Sequence, residues 1–244
     1  MRGGDWFLAA CIVAGVSVLC ALGFWQVERL AWKEAMIARA DTNSRGTPVP
    51  LPEIERRKRA GEDIEYVPVT VSGTFDHDDE QYYFATYKGR GGWYVYTPLM
   101  LEDGRALWVN RGFVPPELRE RETRTDGLVQ GTVTIEGLSR DRIDEKPNVF
   151  VPDNDLAKRN FYWKSLSQMA ANAYDQTKVA TVDFFVDARA DQTPAWPVGG
   201  VTRITFPNNH LQYAVTWFGL AATLLLIGGL LLWRRVTRRV DVIT

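Results

Sequence analysis

The sequence predicts a membrane α+β protein: two terminal transmembrane helices flanking an antiparallel, β-rich extracytoplasmic domain, a small barrel or sandwich with one or two short helices. Three observations predict it. An uncharged run, WFLAACIVAGVSVLCALGF, fills residues 6–24, and a second, LQYAVTWFGLAATLLLIGGLLLW, fills residues 211–233. Each matches the roughly 20 apolar residues that carry a helix across a hydrocarbon core. Between them, short apolar runs alternate with polar residues and are separated by turn residues, the pattern of half-buried strands. Bulk numbers hide this, since 45% hydrophobic residues and a net charge of −1 would suit a soluble domain.

The first run is expected to be a span rather than a cleaved signal peptide. Such a signal has an apolar stretch of only about 7–15 residues followed by small residues, whereas Gly23-Phe24-Trp25-Gln26 follows here. No Arg- and Ser-rich transit segment precedes it, so a bacterial inner membrane is expected. Arg234, Arg235, Arg238 and Arg239 follow the second run, and the positive-inside rule places that end in the cytoplasm. The expected layout is a cytoplasmic tail (residues 1–5), a first span (6–27), a periplasmic β-rich domain (28–209), a second span (210–233) and a basic cytoplasmic tail (234–244). Tails this short leave no room for a kinase, a nucleotide-binding fold or a transcriptional output module.

Beyond the first span, Val27, Leu30, Ala31, Ala35 and Ala38 share a helical stripe, so the helix is expected to continue to just before Asp41. Residues 42–52 read as a loop, and residues 53–60 as a short charged helix ending at Gly61. Strands are expected at 64–75, 81–87, 93–101, 106–114, 129–138 and 181–188. The third and fourth are joined by Glu102-Asp103-Gly104, the best hairpin signal in the chain. One amphipathic helix, residues 155–173 with Phe161, Leu166 and Met169, is expected to interrupt them.

Two cysteines, Cys11 and Cys20, lie about 13 Å apart along the first span and cannot bridge each other. A thiol oxidoreductase, a disulfide scaffold, C-x-x-C-H haem attachment and a Cys-based copper carrier are therefore excluded for the outer domain. No basic patch points to nucleic acid, and no phosphate loop, nucleophile elbow or zinc motif points to an enzyme. His77, in Phe75-Asp76-His77-Asp78-Asp79-Glu80, reads as a solvated turn residue; its carboxylate neighbours would make at most a weak metal site. Asn110 and Arg111 fit either a binding surface or a strand ending in an Asn/Gly turn.

His210 stands where the outer domain enters the second span, after Asn208-Asn209, either of which can cap the helix. Tyr213, Ala214 and Trp217 follow at helical spacing, and Phe24, Trp25 and Gln26 end the first span at the same depth. An imidazole in an aromatic, half-wet slot suits a haem iron, with Arg29, Lys33 and Arg203 near enough in sequence to meet propionates. Ordinary interfacial anchoring accounts for the same residues, and composition and spacing alone do not lead to haem.

Taken in order, Leu22-Gly23-Phe24-Trp25-Gln26 with Arg29 and Trp32-Lys33, Glu65-Tyr66 with Val69, Gly73-Thr74-Phe75, Tyr96-Thr97-Pro98-Leu99, Val109-Asn110-Arg111-Gly112-Phe113-Val114-Pro115, Gly131, Gly137-Leu138 with Arg140, and Asn208-Asn209-His210-Leu211-Gln212-Tyr213-Ala214 resemble the Surfeit locus protein 1 family. Phe113 stands where that family commonly has Trp, and residues 148–162 match only loosely. The resemblance implies a non-enzymatic cytochrome c oxidase assembly factor that receives haem a from its synthase and presents it to the oxidase catalytic subunit. It implies His210 as axial ligand, Trp25, Tyr213 and Trp217 as walls, and Gln26 and Arg29 at polar edges. A scaffold that never ligates haem is the alternative.

Overall fold

Glycines at three levels set how the two long helices meet. The computed structural model describes residues 3–190, 195–202 and 207–240, in two compact units: Met1–Arg39 with Thr205–Thr244, and Ala40–Ile204. The first unit holds most of helix α1 (Gly3–Ser44) and all of helix α4 (His210–Val240). Both helices are long and apolar enough to cross a membrane. A Cβ at Gly15 would meet Leu224, one at Gly23 would meet Phe218 at 2.7 Å, and one at Gly228 would meet Ile12 at 2.7 Å. The order of these contacts makes the pair antiparallel, and the missing side chains let the backbones approach, as in many lipid-embedded pairs. Ile12, Ala214 and Ala221 are buried in the seam, while Phe7, Val13, Val215 and Leu226 stay exposed.

The second unit is built on strands β1 (Val49–Pro50), β2 (Pro68–Phe75), β3 (Gln81–Tyr87), β4 (Arg90–Met100), β5 (Ala106–Val114), β6 (Thr132–Asp141), β7 (Asn160–Phe161) and β8 (Thr181–Ala188), with helices α2 (Leu51–Arg59) and α3 (Leu166–Ala173). Strands β2, β6, β8, β5 and β4 form a ring closed by β2 against β4, at Thr74 with Met100 and Phe75 with Leu99. A small barrel is thus the outcome of the barrel-or-sandwich expectation. The sheet is not purely antiparallel, because β5 and β8 run parallel, as do β1 with β2 and β3 with β7. The long connection from β5 to β8, which contains β6, β7 and α3, supplies the crossover that parallel pairing needs.

Alternation explains why β5 is buried along nearly its whole length. Leu107 and Val109 point into the barrel with Val69, Val71, Leu99 and Val186, under Leu51 and Ile54 of α2. Trp108 points outward and packs with Tyr96, Phe185, Phe161, Leu166 and Met169 beneath α3. The hairpin at Asp103-Gly104 forms as expected, with Gly104 at a φ of 81° and the Leu101 N–H donating to the Arg105 carbonyl.

Several boundaries are corrected. α1 runs one turn past Asp41, where Arg45 pairs with the Asp41 carboxylate at 2.8 Å. The expected loop at 42–52 contains β1 and the start of α2, and β6 lies three residues later than read. The helix expected at 155–173 is only α3. Before it, Asp155 bridges Asn160, and Asn160–Phe161 pairs with Tyr82 and Tyr83. Ser165 then caps α3, its hydroxyl accepting from the Gln168 N–H. Phe161, Leu166 and Met169 mimic one helical stripe because two different elements deliver them to a single core.

Candidate functional site

Helix α4 begins where Pro207-Asn208-Asn209 cannot extend it backward. The Asn208 side-chain oxygen accepts from the His210 N–H at 3.4 Å, and the Tyr213 N–H donates to the Asn209 carbonyl at 3.1 Å. His210 is therefore fixed in the first turn, and the antiparallel pairing sets Gln26 of α1 opposite it. His210 Nδ1 lies 2.7 Å from Gln26 Oε1, between residues 184 positions apart. An amide oxygen only accepts, so Nδ1 donates and Nε2 is the ring nitrogen left directed elsewhere. Among the described residues Nε2 has no hydrogen-bond partner.

The surroundings are aromatic and uneven. Gln26 is buried, whereas Trp25 and Tyr213 are 55% and 53% exposed, and Trp217 is half-buried. Ala214, not Tyr213, takes the seam position one turn below His210. Phe24 meets Phe218 edge-on at 5.3 Å. Arg29 lies 3.8 Å over the Trp32 ring, a cation–π contact on the exposed side of α1. Arg203 falls outside the described residues. An imidazole anchored through Nδ1 beside exposed aromatic side chains has the donor chemistry of a haem ligand, so these residues fit that group.

The barrel unit carries a second polar cluster that the sequence did not reveal. His77 is 9% exposed, not solvated. Its Nε2 lies 2.9 Å from the Val129 carbonyl and its Nδ1 3.3 Å from Glu80. Glu80, 1% exposed, also pairs with Arg124, lies 3.5 Å from Arg111, and accepts from Thr97 and Tyr82. Burial pushes its carboxyl up, but the bonds from His77 and Arg124 and the charges of Arg124 and Arg111 outweigh that and hold it at about 2. Burial lowers Arg111 to about 10 against the opposing pull of Glu80. Arg111 is thus an interior cation and Asn110 an interior amide, donating to Asp187 at 3.0 Å and accepting from the Gly112 N–H. Asn110-Arg111-Gly112 is a strand segment, as one reading had it, but it does not end in a turn: β5 runs on to Val114, and the three residues sit at a register shift opposite Val95 and Tyr96 with Asn110 and Arg111 turned inward. Nothing local in the sequence signalled the cluster, because its members come from four separate segments.

Fold and site together define a class: a small β-barrel with a long apolar helix at either end of the chain, one helix presenting an imidazole oriented by the other. The SURF1 family model matches residues 13–222. The Surfeit locus protein 1 of Rattus norvegicus is 38% identical over 82% of this chain and 68% of its own length, and that of Homo sapiens 36% over 82% and 69%. A SURF1-like protein of Monosiga brevicollis is 34% identical over 91% of this chain and 85% of its own. The chain belongs to the SURF1 family.

Proposed function

We propose that this protein is a non-enzymatic assembly factor for cytochrome c oxidase that holds haem a as cargo at the outer face of a bacterial inner membrane. In this reading α1 and α4 span the bilayer with both chain ends cytoplasmic, and the barrel stands in the periplasm. Haem a synthase supplies the cargo and the oxidase catalytic subunit receives it. The apolar, exposed flanks of the helix pair and the exposed Arg234 and Arg235, which follow the apolar run inside α4, support the topology.

One observation carries the proposal: the bond from His210 Nδ1 to Gln26. It selects the tautomer whose Nε2 can enter an iron's coordination sphere, and it fixes the ring plane, the usual task of a partner behind a ligating histidine. His210 would supply the axial nitrogen. Trp25, Tyr213 and Trp217 would cover apolar ring surface, and Arg29 would leave Trp32 to meet an acidic edge. The iron itself offers a Lewis-acidic site for the imidazole when the cargo is bound.

The test is co-expression with haem a synthesis, followed by purification in detergent and comparison of haem absorbance with His210→Ala. Loss of the haem a bands from a variant whose barrel unfolds at the parental temperature supports the proposal. Equal haem content in both proteins overturns it and leaves the scaffold.

A further inference from the structure

Residues 116–131 form a strap of three single 3-10 turns, Pro116–Leu118, Arg121–Thr123 and Thr125–Gly127. Only Arg124 and Gly127 of this stretch are buried, so polar bonds rather than apolar packing hold most of it down. Arg124 pairs with Glu80, and the Arg121 guanidinium donates to the His77 carbonyl at 3.1 Å. The Arg111 guanidinium donates to the Gly127 carbonyl, and His77 Nε2 lies 2.9 Å from the Val129 carbonyl. A carbonyl only accepts, so Nε2 carries a proton and Nδ1 is the ring nitrogen whose state can change. Nδ1 sits in a triangle, 3.3 Å from Glu80 Oε1 and 3.4 Å from Arg111 Nη1, which are themselves 3.5 Å apart. A neutral ring accepts from Arg111 there and has nothing to give Glu80. A protonated ring donates to Glu80 and repels Arg111.

We infer that His77 is a proton-operated latch: protonation moves its Nδ1 contact from Arg111 to Glu80, frees Arg111 from the Gly127 carbonyl, and loosens the strap at residues 125–129. The charges set the direction. With a neutral ring, one carboxylate, Glu80, faces two guanidiniums, those of Arg111 and Arg124, whose side chains are 10% and 1% exposed. An imidazolium makes three cations to one anion where water screens little. Arg124 is held by the carbonyls of Leu118 and Arg119 as well as by Glu80. Arg111 has the Gly127 carbonyl and the Phe75 ring at 4.8 Å, so it is the cation that gives way. The other charged groups around the ring are already engaged: Asp78 with Arg121, Asp79 with Arg159, and Asp76 with the Tyr174 hydroxyl. Glu80, held at about 2, and Arg111, lowered to about 10, keep their charges between pH 5 and 8, the range in which imidazole changes its own.

The experiment uses the full chain in detergent and follows two signals from pH 8 to 5. One is the magnetic resonance of the His77 ring; the other is amide hydrogen exchange at Gly127 and Leu128, whose N–H groups donate within the strap to the Arg124 and Thr125 carbonyls. After correction for the intrinsic pH dependence of exchange, protection of both amides is expected to fall at least tenfold on acidification. The fall is expected to share the midpoint of the ring signal, while Leu107 and Val109 in the barrel keep their protection. His77→Gln retains a donor for the Val129 carbonyl but takes up no proton, and its strap protection is expected to stay constant. Constant protection in the parent, a ring that does not titrate, or a loss whose midpoint differs from that of the ring overturns the inference, and these are read without any variant. An equal loss in His77→Gln overturns it too.

Discussion

Glu80→Gln tests whether the buried charge cluster holds the barrel together. The substitution keeps shape and removes the anion that faces Arg124 and Arg111, whose side chains are 1% and 10% exposed. A carboxyl held at about 2 instead of 4.5 contributes roughly 3 kcal/mol of native stability at neutral pH. Leaving buried cations without their counter-ion costs a similar 3–5 kcal/mol. For a domain of this size, that lowers the unfolding midpoint by about 10 °C. The sign with pH follows from the depressed carboxyl. Its contribution is fully present above 4.5 and disappears as pH falls toward 2, so the deficit of the variant narrows over that window. The assay is thermal unfolding in detergent, followed by near-ultraviolet circular dichroism at several pH values, with Glu117→Gln, whose side chain is exposed, as a control that leaves the midpoint unchanged. A Glu80→Gln midpoint within about 2 °C of the parent at pH 7, or equal losses in both proteins between pH 5 and 3, would refute the assignment.

Gln26→Leu keeps the His210 ring but frees its tautomer and orientation; haem titration by absorbance is expected to show about 10–100-fold weaker retention. Gly112→Ala puts a side chain at a φ of 128° and onto the Val198 carbonyl, so denaturant unfolding should register a loss of roughly 3–5 kcal/mol. Tyr96→Phe removes a fully buried hydroxyl that has no hydrogen-bond partner among the described residues, and calorimetry should find the variant at least as stable as the parent.

Elements with strong local signals were legible in the sequence. The limits of β3, β5 and β8 coincide with their hydrophobic alternation, and the Asp103-Gly104 turn follows from the positive φ that glycine accepts. Both long helices were plain from their uncharged runs. Barrel closure was not, because Thr74 and Phe75 reach Met100 and Leu99 through register, which single-strand patterns do not encode. The helix read at 155–173 failed for the opposite reason: a local period arose from residues that tertiary packing alone brings together. His77 looked solvated because four acidic neighbours surround it in sequence, yet Val129 and Arg111, far along the chain, enclose it.

The candidate site divides along the same line. His210 and its aromatic neighbours are local features, but the role of Gln26 depends on a partner 184 residues away. In the proposed carrier the choice of a neutral amide behind the imidazole has a consequence. A carboxylate there would draw the Nδ1 proton strongly, make Nε2 a more basic ligand and tighten the iron bond. It would also place an anion at the end of an apolar helix pair, where its desolvation costs several kcal/mol. The amide fixes tautomer and ring plane with neither effect, and so favours a ligand that is correctly aimed yet moderately basic. A protein that must surrender its cargo to an oxidase needs that balance, whereas one that keeps its haem would gain from the stronger donor.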